Sequence, residues 1–595
     1  MSDTLALAGR LQLLGDDDLV ALVSTRLNDA RGIKDFFDLA DRLLDPSSIE
    51  AALAGLSRPT LSALAHPDAA TDPAAIEPAG RLLLTTGGRP DVALPAVTAV
   101  LDAWPARGLP SAAELAGAEP PADTDRSQPQ ENSDRMAAER AFTATAGIAE
   151  LIHELRTVPV RELAKGGVAA PDAKRLTASL GIDSNDLDAL LRIARRAGLV
   201  TLDNLLWSAT DDALPWLLRS AAQRWTALAT SWLTALPADI GSVLRERSSQ
   251  PWGADAQRAI AFLFPAGGDA LRGRVAFVLD SAEYLGITAG GYPGAAARAL
   301  LDGTTEPLSK VAADLLPAEV SNVYLQHDLT VVAPGPLTPD VDVRLRTLAD
   351  IEGRGLASTY RLSAASITRS LAEGETAEGI LSFFRSVSLT GVPQPVEYLV
   401  VETSSRYGRL RAGATSPEEE SSTGAHSYVR SEDSSLLSTL MVDHGLASLG
   451  LEYDTARRLT SRFAFETLFW MIADARYPVV AEHASGAIYA PVRTRTAPKP
   501  PAPTPKPFVE LIARLRETTH DTKDAPEAWI ARQLDVAIKA KSHLAVSVGM
   551  PDDKTIVFLV TPLSLAAGRL RAIDEKAGVE RTLPLRNITA VNPAP

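Results

Sequence analysis

Two stretches without apolar periodicity constrain what this chain can fold into. Glu119 to Asp134 is polar and proline-bearing, and Arg493 to Pro507 alternates proline with small and basic residues. Neither can bury a core, and proline-rich sequence favours an extended, semi-stiff spacer. The apolar residues must therefore collapse in separate blocks. A chain of 595 residues would need several cores in any case, because single cores stop growing at about 250–300 residues. The expected class is multidomain α+β, with a mostly helical, winged-helix-like N-terminal half. It divides into a helical or winged-helix-like domain over 1–110, a disordered linker over 111–136 and a winged-helix-like domain over 137–235. A second winged-helix-like module covers 236–318, a central α+β module 319–411 and a small α+β extension 412–491. A Pro-rich linker over 492–507 leads to a β-barrel over 508–595.

The helical signals are local and physical. Ile33, Phe36, Phe37 and Ala40 recur at i, i+3, i+4 and i+7, which puts them on one helix face. Asp45-Pro46 ends that helix and starts another, with Pro at the first helical position. Two short helices across a tight turn fit a helix-turn-helix start or a plain helical bundle. Farther on, a helix over 137–155 precedes a short helix at Val160, Leu163 and Ala164 and a second over 171–180. The next buries Leu187, Leu190, Leu191 and Ala194, and stops at Gly198. Leu199 to Thr201 and Leu205 to Trp207 then form a hairpin. That is the winged-helix order, and it makes Ser184 to Arg196 the recognition helix. Its outer side carries Arg192, Arg195 and Arg196, suited to phosphate or base-edge contact. Cations are also favoured at any helix C-terminus. The tryptophans from Trp207 to Trp252 read as core filling.

Charge does not exclude nucleic acid. The net charge is −15, but residues 1–135 hold 11 Lys+Arg against 21 Asp+Glu, a balance of −10. The remaining residues hold 48 against 53, a balance of −5. Binding needs a local basic face, not a basic total. The chain has no cysteine, which excludes disulfides and thiolate metal sites and fits a reducing compartment. No long apolar run or signal-like N-terminus occurs, so a cytoplasmic protein without a membrane span is expected.

The stretch from Val323 to Pro336 resembles the strand pair that opens the N-terminal domain of the XPB-type DNA repair helicases. In bacterial proteins this element is the helicase-associated, or helicase conserved C-terminal, module. Leu345 to Glu352, Ser358 to Leu362, Val392 to Pro395 and Arg406 to Arg409 resemble its later segments. The resemblance implies contact with DNA or with a separate XPB-like helicase or repair protein. It does not imply a motor. A phosphate-binding loop needs Gly-Lys, and no such dipeptide occurs. Arg406, Tyr407, Arg409 and Arg411 interleave cations with an aromatic, which suits phosphate contact with base stacking. For any one of these residues, a strand edge with solvated arginines is the preferred reading.

Val560 to Asp574 with Glu580 to Ile588 resembles the WYL domain, an SH3/Sm-like β-barrel of bacterial DNA-damage regulators. The Trp-Tyr-Leu triplet is absent, with Gly568-Arg569-Leu570 at the equivalent strand start. Arg569, Arg571, Arg581 and Arg586 are its candidate phosphate contacts. The resulting expectation is a non-catalytic DNA-binding or helicase-associated accessory protein, in DNA repair, without cofactor or metal. The alternative is a winged-helix transcriptional regulator whose C-terminal domain senses a ligand.

Overall fold

The computed structural model describes residues 3–66, 73–88, 91–124, 130–303, 308–353, 355, 357–489, 491, 506–520, 525–550 and 555–593. The chain mixes helical and sheet units. The expected Pro-rich linker over 492–507 lies outside the described residues, apart from the start of a helix at Lys506. Among the described residues, no single helix is long and apolar enough to cross a membrane.

Residues 130–209 run helix, strand, helix, helix, hairpin, the element order expected there. The long helix Gln130–Thr157 is followed by the strand Val160–Arg161, then by the helices Ala170–Leu180 and Ser184–Arg196. The hairpin Val200–Asp203 and Leu206–Ala209 completes it. The expected short helix at 160–164 is instead this first strand, which pairs Val160 with Trp207. Two paired residues leave no periodicity to read. Gly198 sits at φ 74°, the left-handed conformation that ends the third helix. The unit does not pack alone. Its core is continuous with residues as far as Leu316, and Trp207, Trp216, Trp225, Trp232 and Trp252 are all buried there. A second hairpin, Thr288–Ala289 with Tyr292–Pro293, lies against the long helix, where any side chain at Gly286 would collide with the Ala137 carbonyl. The stretch read as a linker is ordered over 111–124. It forms the helix Ala112–Gly117 with a Ser111–Glu114 capping box, and Thr124 bonds Asp255.

The central region contains two sheets. The first is antiparallel, in the order Tyr324–Leu325, Thr330–Ala333, Ser358–Arg361, Asp350–Gly353. The second runs Glu452–Thr455, Arg458–Ser461, Ser427–Ser431, Leu410–Ala414, Val479–Glu482, Ile488–Tyr489. Leu410 and Ala412 are buried in the core of that second sheet. The segment Arg406 to Arg411 therefore joins two units.

The ends of the chain share a core. The helices Asp3–Leu13, Asp16–Arg26 and Phe36–Leu44 pack with Lys506–His520, Ala525–Ala540 and the C-terminal sheet. Asp35 caps Phe36–Leu44 through the amides of Phe37 and Asp38, and Ile33, Phe36, Phe37, Ala40 and Leu43 are buried as their spacing predicts. Residues 508–595 are thus not an independent unit. Nor does their sheet close into a barrel. Its order is Val579–Pro584, Arg569–Asp574, Thr555–Ala566, Leu544–Gly549, Ile588–Pro593, so the last strand returns beside the first and the two edges stay unpaired with each other. Helices from both chain ends cover the apolar face that closure would otherwise bury.

Candidate nucleic-acid interface

The winged-helix arginines come together. Leu187, Leu190, Leu191 and Ala194 hold one side of Ser184–Arg196 in the core, which turns Arg192, Arg195 and Arg196 outward. They line a cleft of about 570 Å³ between this helix and Gly268–Tyr284. The Arg192 and Arg196 guanidinium carbons lie 5.4 and 4.9 Å from the Phe277 ring centroid, and that of Arg195 lies 5.7 Å from Trp207. Each cation–π contact contributes about 0.5–1 kcal/mol when exposed. Burial holds the Arg196 pKa below its ordinary value. Among the described residues none of the three arginines forms an ion pair. Glu162 and Asp188 stand at the cleft wall. Phe277 had no signal of its own in the sequence, because it resembles any apolar residue of a helical face.

The other candidate residues do not form a basic patch. Arg406 pairs with Glu402 at 2.6 Å. Tyr407 packs on the central core, and burial raises its phenol pKa. Arg411 donates to the Gly408 carbonyl and lies 3.6 Å from Glu482. Burial pushes the Glu482 carboxyl up, but bonds from Arg430 and Tyr428 outweigh it and hold the group below the usual carboxylate range. Arg409 is exposed and forms no ion pair or side-chain hydrogen bond among the described residues, though its charge helps hold the Asp433 carboxyl low. In the C-terminal sheet, Arg571 bonds Glu580 at 2.5 Å and Arg581 bonds Asp574 at 2.6 Å. Arg569 and Arg586 are exposed. Arg406, Arg411, Arg571 and Arg581 are thus each offset by an acid on the same helix or a nearby strand.

A buried charge cluster braces the helix Gln130–Thr157 against the central region. Arg346, on the helix Pro339–Leu348, reaches Glu150 of the long helix at 2.5 Å and Asp342 at 2.8 Å. The Tyr360 hydroxyl donates to Asp342 at 3.2 Å. One turn along the long helix, Glu154 accepts from Arg175 and Ser179 of the winged helix. The arginine cleft is therefore held in one orientation to the central sheet. His153 sits among these groups. Burial, followed by Arg346, Arg156 and Arg224, holds its pKa well below 6.5. The unfolded chain thus binds more protons than the folded one below that pH, so stability is lost as pH falls. The loss sets in as pH falls through about 6.5, where the unfolded imidazole takes up its proton, and continues below it while His153 stays neutral in the fold. Thermal midpoints measured across that window should fall less steeply in His153→Gln than in the parent.

Residues 323–454 match the helicase conserved C-terminal domain family. The match runs from the first strand of the four-stranded sheet into the six-stranded one, past the boundary expected at 411. No curated protein matches the chain. Among solved structures the chain is similar to the proteasome accessory factor B/C (PafBC) of Arthrobacter aurescens, at 12% identity and a TM-score of 0.11, over 76% of this chain and 83% of that chain.

Proposed function

We propose that this chain is a DNA-associated accessory protein that carries no motor of its own. The reading rests on one observation: three arginines without ion pairs among the described residues share a cleft on the third helix of a winged-helix-like unit. The buried Arg346 cluster supports it by fixing that cleft to a module similar to a helicase C-terminal domain. In this reading the arginines hold phosphate, while the module docks on DNA or on a separate XPB-like helicase acting in repair. A regulator with a WYL-like sensing sheet is the second reading. It is favoured by the C-terminal meander whose last strand pairs with its first, and footprinting at a defined promoter would select it.

The test is fluorescence anisotropy with labelled DNA and the full-length protein. The double variant Arg192→Glu/Arg196→Glu should weaken binding at least about tenfold. It should also flatten the dependence of log affinity on log salt by about one unit per lost phosphate contact. Unchanged binding would return the helix to a structural role. The protein should show no DNA-stimulated ATP hydrolysis, and turnover abolished by a point substitution would overturn the motor-free reading.

A further inference from the structure

The geometry points to an unpaired nucleic-acid strand, not a duplex groove, as the ligand of the arginine cleft, with the wing-tip leucines packing on its bases. This inference rests on the DNA-associated reading above and narrows it.

Three features argue against a duplex. A recognition helix reads the major groove through its N-terminal residues. Here that end carries Asp183, Asp186 and Asp188, while every arginine lies in the last two turns. Phosphates flanking a groove would meet carboxylates first. The wing, which in a duplex complex would lie along the backbone, has no cation in its own turn; the nearest in the register is Arg161, opposite Leu206. The wing turns through Asn204 and Leu205 between Asp203 and Leu206. Finally, the arginines line a concave cleft walled by Phe277 and a second helix, whereas a duplex presents a convex surface to a protruding helix.

The same features suit a single strand. Its backbone can follow a cationic groove while its bases turn out and stack. Guanidinium groups held over Phe277 and Trp207 are fixed in place, and arginine planes are themselves stacking surfaces for bases. At the wing tip, next in the chain to Trp207 of the cleft wall, Leu205 and Leu206 are 41% and 45% exposed. Exposed apolar side chains can pack against unstacked bases. Leu205 also holds φ 61°, a left-handed conformation that bulky side chains rarely adopt. Together with Asn204 at φ 48° it forms the two-residue turn usual for a tight hairpin. Asparagine or glycine would make that turn with less strain. A strained, exposed leucine at a wing tip is the kind of outlier that accompanies a binding role.

The experiment uses the full-length protein and fluorescein-labelled DNA of about 20 nucleotides, longer than the site of a single strand-binding module. The oligonucleotide is presented unpaired or as a duplex of the same sequence, at matched ionic strength. The unpaired strand should bind about tenfold tighter than the duplex. Arg192→Glu/Arg196→Glu should remove most of that affinity. Leu205→Asn/Leu206→Ser should weaken the unpaired strand about threefold or more without lowering the thermal midpoint, since asparagine tolerates the left-handed turn. Equal or tighter duplex binding would overturn this inference and leave the DNA-associated reading standing. Failure to bind either form would overturn both. Unchanged single-strand affinity in the leucine variant would remove the wing tip from the site.

Discussion

The full-length Phe37→Ala variant is expected to lose about 3–5 kcal/mol of stability, and the loss should appear in the unfolding of the C-terminal sheet. Phe37 is 1% exposed, and its ring centroid lies 4.5 Å from that of Trp529. Around it, Leu7, Leu11 and Leu19 of the chain's start and Leu515, Leu534, Val546 and Leu570 of its end form one buried cluster. Polar contacts register the two ends. Arg516 bonds Asp16 at 2.9 Å and the Gln12 carbonyl at 2.7 Å. Arg532 bonds Asp35 and Asp38, each at 3.1 Å. Those arginine pairs are partly exposed and contribute modestly, so the apolar contact should dominate the energetics. Truncating Phe37 opens a void where neighbours from both ends meet, and a void there cannot be refilled by either end alone. A fragment of residues 506–595 should accordingly show no cooperative melting, and adding residues 3–45 in trans should restore it. Cooperative folding of that fragment alone, or a change below about 1 kcal/mol in Phe37→Ala, would show that the sheet is held by its own contacts.

This docking was invisible in the sequence, although each partner was legible. The spacing of Ile33, Phe36, Phe37 and Ala40 gives a helix face, and Asp45-Pro46 gives its boundary, as observed. Nothing in that spacing says that the face meets Trp529 near the other end of the chain. The same limit separates the three arginine groups. Arg192, Arg195 and Arg196 share a helix face by period alone, so their convergence could be read directly. Arg571 and Arg581 look like free cations until strand register sets Glu580 and Asp574 beside them. Tyr407 looked available for stacking in a polar segment, yet its ring packs on the core ahead of a new sheet. Local period fixes a face. Its partner depends on contacts distant in sequence, which carry no periodic signal.

Arg346→Met is expected to cost about 3–5 kcal/mol, the usual result of removing one member of a buried ion cluster. The arginine side chain is 18% exposed and lies between Glu150, itself 12% exposed, and Asp342 at 11%. Methionine preserves much of the volume, so lost packing would account for little of the change. The cost instead comes from two carboxylates left in a poorly solvated site without their shared cation. That account makes a second demand. Adding Glu150→Gln and Asp342→Asn to Arg346→Met should recover most of the loss, because a fully neutral cluster no longer strands a charge. If the cavity were the cause, the triple variant would remain as unstable as the single one, and a thermodynamic cycle across the three positions would show no coupling. The cycle also bears on function. Glu150 lies on the helix whose next turn holds the winged helix through Glu154. A neutral but stable cluster should therefore keep the proposed DNA affinity in the isolated protein. Any loss should be confined to activities that need the arginine cleft and the helicase-like module in one fixed orientation.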